Sequence, residues 1–216
     1  MQNAKKILLS PHNDDEALFA SFICMREKPL VVIVTDSWKQ FGRGEKEKHI
    51  TAEVRRNESI AAMRLLGCSV VFLGIPDTSW LSRKILHEKL KQFNPDVVYA
   101  PAIQGGHIQH DLVGIAALAN FKHVVQYATY AREKSFTPGE IEIIPTPEEQ
   151  ALKDRALDCY QSQITYERTA HFFIAVRGKN EWIMKPVRCK WIIIWQQRFK
   201  WITQHYKGKI KILCHR

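Results

Sequence analysis

Six consecutive residues near the N-terminus, Pro11-His12-Asn13-Asp14-Asp15-Glu16, place an imidazole and three carboxyl groups within five positions, directly after the apolar run Ile7-Leu8-Leu9. Adjacent carboxylates repel one another unless a positive group sits among them, and a divalent cation is the simplest such group. Across a strand-to-helix turn, His12 and Asp15 can converge on one ion while Asp14 points elsewhere. A second cluster, Gly105-Gly106-His107-Ile108-Gln109-His110-Asp111, follows another apolar run, Val97-Val98-Tyr99-Ala100. Catalytic zinc takes three protein ligands from His and carboxylate and leaves one position to water; His12, Asp15 and one of His107 or His110 would supply that set. Two imidazoles argue against calcium or magnesium, whose shells are built from oxygen. Two histidines and one carboxylate also form the facial triad of iron(II), so Zn2+ is expected with Fe2+ as the alternative. Either cluster alone has an ordinary explanation, as favourable charges in a helix's first turn or as a glycine-marked loop. Their equivalent places after strands are what lift the pair above that explanation.

The elements that must position these clusters are visible in the hydrophobic pattern. Apolar, β-branched runs at residues 6–9, 30–35, 69–73 and 97–100 alternate with helical spacing over 15–26, 51–66, 82–92 and 111–121. That alternation predicts a Rossmann-like, three-layer α/β/α fold with a mostly parallel sheet. Gly67 is placed to cap the second helix, and Thr146-Pro147-Glu148-Glu149 reads as a capped start for a helix continuing over 150–163. A strand is expected over 124–130, and short C-terminal strands beyond Thr169. Ligands of such sheets bind outside the carboxyl ends of the strands. Both clusters fall there, together with Thr35-Asp36-Ser37 and Gly74-Ile75-Pro76-Asp77. Asp36 and Asp77 could therefore hydrogen-bond hydroxyls of a polar substrate, and the polar segment 38–49 would form a flap over it.

With 216 residues, 45% of them hydrophobic and 25% charged, the chain suits one domain with a real core, expected over 1–186. No stretch approaches the ~20 apolar residues of a membrane span, and the N-terminus enters a strand rather than a signal segment, so a cytoplasmic location is expected. Five scattered cysteines without a C-x-x-C pair predict reduced thiols. The net charge of +10 is a property of one end: residues 187–216 hold eight Lys/Arg and no Asp/Glu, which leaves about +2 for the rest. That extension also carries Trp191, Trp195, Phe199, Trp201 and Tyr206. Basic residues interleaved with aromatics could engage nucleic acid or an anionic surface. The run Trp191-Ile192-Ile193-Ile194-Trp195 is too apolar for water, so packing on the same domain is the expectation adopted. Homo-oligomerisation is left open.

Laid out in order, the motifs resemble the LmbE-like or PIG-L-type family of zinc-dependent N-deacetylases, over roughly residues 5–165. The elements that carry the resemblance are Pro11-His12-Asn13-Asp14-Asp15-Glu16, Val34-Thr35-Asp36, Arg55-Arg56-Asn57-Glu58 before Leu65-Leu66-Gly67, Gly74-Ile75-Pro76-Asp77, His107-Ile108-Gln109-His110 and Tyr160-Gln161-Ser162-Gln163. The resemblance implies removal of an acetyl group from an N-acetylated amino sugar or glycoconjugate. It implies His12, Asp15 and His110 as metal ligands, Asp14 as general base, His107 as oxyanion stabiliser, and Arg55 and Asp77 as substrate contacts. Asn13 stands where most members carry proline, and the basic extension matches no family pattern. The chemistry agrees with the residues, because amide hydrolysis needs a strong nucleophile, a polarised carbonyl and a proton for the leaving amine. Another metal-dependent hydrolase or hydratase, or a protein binding nucleic acid or membrane through its extension, are the alternatives.

Overall fold

The computed structural model describes residues 4–37, 50–76, 83–130 and 138–185, and in it the apolar runs become strands of one seven-stranded sheet. Strands β1 (Lys6–Ser10), β2 (Leu30–Thr35), β3 (Val70–Ile75), β4 (Val97–Pro101) and β5 (Val124–Tyr127) are parallel, in the order β3-β2-β1-β4-β5. Two short antiparallel strands, β6 (Ile141–Ile143) and β7 (Glu181–Ile183), extend the β5 side. In β1, Leu8 points to one face and Ile7 and Leu9 to the other, and all three are fully buried. A strand covered on both faces needs apolar residues at every position, which is why the run is continuous rather than alternating.

Helices α1 (Asp15–Phe19), α2 (Ser21–Glu27), α3 (Ala52–Leu66), α6 (Pro147–Leu157), α7 (Gln161–Ile164) and α8 (Glu167–Val176) belong to one face. There Phe19, Phe22, Met63, Leu66, Leu157 and Phe173 share a core with Leu8, Val31 and Ile33. On the opposite face, α4 (Arg83–Leu90) and α5 (Ile108–Asn120) contribute Leu86, Leu90, Val113 and Ala117 to a core with Ile7, Leu9, Val32 and Val98. Strand order reverses direction between β1 and β4, because the chain moves outward to β2 and β3 and then returns to add β4 beside β1. Such a reversal opens a crevice at the carboxyl ends of the two strands. The loops that leave β1 and β4 carry the two candidate clusters.

Several elements agree with the sequence pattern. Gly67 adopts a left-handed φ of 74° at the end of α3, and Thr146 and Glu149 form a reciprocal capping box at the start of α6. Others differ for physical reasons. The helix expected over 15–26 breaks at Ala20, and the backbone N–H groups of Ser21 and Phe22 at the new helix start donate to the Glu181 carboxylate at 2.8 and 2.9 Å. The helix expected from 111 begins three residues earlier, with His107 as its N-cap. The helix expected over 150–163 ends at Leu157 and is followed by the separate α7. The expected strand over 124–130 stops at Tyr127. Beyond Thr169 the chain stays helical to Val176 before reaching β7; Phe173 and Val176, three residues apart, are both buried, so a helical stripe prevails over the β-branched and aromatic composition. Among the described residues, no helix is long and apolar enough to cross a membrane, and Cys24, Cys68 and Cys159 are free thiols. The expected flap over 38–49, the extension 187–216 and Asp77 lie outside the described residues.

Candidate metal centre

His12 and Asp15 leave the end of β1 on either side of a tight turn, and His110 sits in the first turn of α5, beyond β4. One carboxylate oxygen, Asp15 Oδ2, lies 2.9 Å from His12 Nδ1 and 3.1 Å from His110 Nε2, while the two ring nitrogens are 3.2 Å apart. His107 completes a group of three imidazoles whose ligand atoms lie within 4.8 Å of one another and could hold a metal ion. A tetrahedral ion with bonds of about 2.0–2.1 Å sets neighbouring donor atoms about 3.3 Å apart, so the triangle of Asp15, His12 and His110 fits one with only slight opening. The sharing of a single oxygen by two imidazoles gives all three groups a common focus. Burial raises the Asp15 carboxyl, but the His110 and His12 rings override that effect and hold it well below the usual carboxylate range.

Asp14 points away from this triangle. Its Oδ2 accepts from Arg55 Nη2 at 3.1 Å, and Arg55 is fully buried, so a desolvated guanidinium anchors the carboxylate. Burial pushes the Asp14 carboxyl up, with Arg55 pulling against it. Glu16, also fully buried, accepts from Ser10 Oγ at 2.6 Å, Tyr160 Oη at 2.7 Å and the Asp14 backbone N–H at 3.1 Å, which ties the turn to β1 and to the start of α7. Burial raises this carboxyl as well. His107 Nδ1 accepts the Gln109 backbone N–H at 3.3 Å. With that lone pair occupied, a neutral His107 ring carries its proton on Nε2 and is a donor.

Asn13, which stands where most members of the resembled family carry proline, is firmly held. Oriented to satisfy its neighbours, its amide nitrogen donates to the carbonyls of Thr35 and Asp36 at 3.0 and 3.3 Å, and its backbone N–H faces Ser37 Oγ at 3.4 Å. The rigidity that proline provides through its ring is thus supplied by hydrogen bonds to the end of β2. Asp36 pairs with Arg56 at 2.6 Å at the same sheet edge. Two site residues had no role assigned from sequence. Gln109 places Oε1 against His12 Nε2, and the Tyr130 ring lies 5.0 Å from that of His110 and stacks on Phe172 at 5.6 Å. Gln109 was visible only as a spacer within His107-Ile108-Gln109-His110; Tyr130 carried the weaker signal of the last residue of the strand expected over 124–130.

A family model described as PIG-L, GlcNAc-PI de-N-acetylase, matches residues 7–121, more than half of the chain, from Ile7 in β1 to just past the end of α5. Similar solved structures include an N,N'-diacetylchitobiose deacetylase from Pyrococcus horikoshii, with 23% identity, a TM-score of 0.59 and 85% of each chain covered. A deacetylase of the teicoplanin biosynthetic pathway has 18% identity and a TM-score of 0.60, with 86% of this chain and all of that one covered. The 4-carboxy-2-hydroxymuconate hydratase from Pseudomonas putida has 16% identity and a TM-score of 0.59, covering 86% of this chain and 98% of that one. No curated protein sequence matches the chain. At these identities the structures speak to the fold, and one of them is no deacetylase. The family match rests on the segment that brings both clusters to the β1/β4 crevice, and by it this chain belongs to the PIG-L family.

Proposed function

We propose that the protein is a metal-dependent hydrolase that removes an acetyl group from an N-acetylated amino sugar or glycoconjugate. The observation that carries this reading is the convergence of His12 Nδ1 and His110 Nε2 on a single Asp15 oxygen, with the anchored Asp14 carboxylate beside it. His12, Asp15 and His110 would hold the ion, Zn2+ by the donor set with Fe2+ as the second choice. When bound, such an ion supplies Lewis acidity, polarising the amide carbonyl and acidifying the attacking water.

The remaining work falls to the chain's own groups. Asp14, held outside the ligand triangle by Arg55, takes the proton of the attacking water and passes it to the departing amine. Desolvation favours this shuttle because a buried carboxylate is a stronger base than a solvated one. His107, donating from Nε2, stabilises the negative charge that develops on the carbonyl oxygen, a contribution of roughly 3 kcal/mol in comparable sites. Arg55 acts on this reading through Asp14, since full burial keeps it from a substrate in the crevice. Asp36 and Asp77 remain the proposed hydroxyl contacts, and the expected flap over 38–49 the proposed cover. Support comes from the family and from deacetylases among the structural neighbours.

The test is acetate release by the metal-loaded full chain from GlcNAc-phosphatidylinositol, N,N'-diacetylchitobiose and an N-acetylated glycopeptide, with a small unsaturated hydroxy acid as contrast. Acetate release that stops on chelation and returns with Zn2+ is the expected result. Hydration of the unsaturated acid with no acetate from any amide would refute the proposal in favour of the hydratase alternative.

A further inference from the structure

Gln109 stands on α5 between His107 and His110, is 3% exposed, and reaches across the crevice so that its Oε1 meets His12 Nε2. A carboxamide oxygen only accepts, so His12 must carry a hydrogen on Nε2. The Nδ1 lone pair is then the one available to the ion, on the side where Asp15 Oδ2 and His110 Nε2 converge. In metal sites generally, the far nitrogen of a ligating imidazole donates to a carboxylate, a carbonyl or water, and that partner sets both ring orientation and ligand basicity. Here the partner on His12 is a neutral amide. The far nitrogen of His110, Nδ1, is buried and has no hydrogen-bond partner among the described residues, so that ring receives no such support from any of them.

We propose that Gln109 is a positioning residue for the metal, locking His12 in the ligating tautomer while holding the site's affinity below the level a carboxylate at the same place would give. The inference rests on His12, Asp15 and His110 being the ligands. Its physical basis is charge. An ionised carboxylate on His12 Nε2 would draw the proton toward itself, enrich the ring in electron density and add a negative charge close to the ion. An amide fixes the same geometry without either effect. An ion held by His12, Asp15 and His110 would then have no second negative charge beside it at the far side of His12, and would exchange more readily with its surroundings.

Three variants separate these effects: Gln109→Met removes the acceptor at similar volume, Gln109→Asn shortens it, and Gln109→Glu adds charge at nearly unchanged shape. Zn2+ affinity of the metal-free full chain would be measured by competition with a chromophoric chelator, with Co2+ absorption reporting ligand geometry and the melting temperature of each metal-free variant reporting the fold. Gln109→Met is expected to bind Zn2+ about 10- to 100-fold more weakly than the parent. Gln109→Asn should fall between the two, and Gln109→Glu should bind more tightly than the parent. Unchanged affinity in Gln109→Met, or weaker binding by a folded Gln109→Glu, would overturn the proposal. Should Gln109→Met fail to fold, Gln109→Glu decides alone. Failure of the ligand reading is recognised separately, because the unmutated chain would then bind no stoichiometric Zn2+.

Discussion

Asp14→Asn separates catalysis from metal binding and from folding, and the size of each effect follows from the contacts of Asp14. The substitution keeps shape and one acceptor but removes the charge facing Arg55, which is fully buried with Nη2 3.1 Å from Asp14 Oδ2. Arg55 stays charged, so its bond to the new amide remains charge-assisted. Breaking a buried pair outright costs about 3–5 kcal/mol, and losing only the partner's charge takes away less, about 1–2 kcal/mol. For a protein of this size that is a fall of about 2–8 °C in Tm. Against a total stability of about 5–15 kcal/mol, nearly every molecule stays folded at room temperature. Loss of the general base, by contrast, lowers kcat by at least about 100-fold. That factor corresponds to about 2.7 kcal/mol in the barrier, and none of it can be assigned to unfolding. The assay is acetate release by Zn2+-loaded protein, with metal content and Tm measured on the same sample. Turnover within about tenfold of the parent, with full metal content, would refute the role given to Asp14. Asp14→Ala, which leaves Arg55 without this partner, should lose about 3 kcal/mol or more and melt correspondingly lower.

The two histidines of α5 should respond differently: His110→Ala loses stoichiometric metal, whereas His107→Ala retains it and loses about 100-fold in kcat; metal analysis of both variants showing the reverse would exchange their roles. Away from the site, Lys153 and Glu181 form a fully buried ion pair at 2.8 Å whose carboxylate also receives the Ser21 and Phe22 N–H groups. Glu181→Ala should lower the urea-unfolding free energy by about 3–5 kcal/mol, and a smaller loss would mean that the α2 start finds other acceptors. Glu149 pairs with Arg26, whose hydrogen bonds lower its carboxyl to about 2 from an ordinary 4.5. A carboxyl lowered on folding stabilises the protein above its unfolded pKa. Its contribution, reduced by solvent screening to about 1 kcal/mol or less, is therefore present at neutral pH and lost as pH falls from about 4.5 through about 2. The stability gap between the parent and Glu149→Gln should close over that range, and a gap that widens on acidification would contradict the pairing.

The sequence alone was enough for whatever depends on near neighbours along the chain. Runs of β-branched residues, the spacing of apolar positions in α3 and α5, Gly67 at a left-handed cap and the box of Thr146 with Glu149 are all encoded within a few residues, and local backbone preference and periodicity suffice to recognise them. So is the presence of two acid and histidine clusters after strands. Tertiary structure decided whatever depends on residues that meet from afar. The break at Ala20 is stabilised by Glu181, 160 positions from the Ser21 N–H that it receives, and no pattern around Ala20 announces it. The same applies to Arg55, 41 positions from the Asp14 that it anchors, and to Gln109, which meets a histidine 97 positions earlier. The sequence left open whether His107 or His110 joins His12 and Asp15. In the fold, His110 Nε2 lies 3.1 Å from Asp15 Oδ2, whereas His107, just before the helix that begins at Ile108, commits its Nδ1 to capping it. Spacing brings candidate donors to one edge, but directing their lone pairs to a common point takes packing and hydrogen bonds from the rest of the chain.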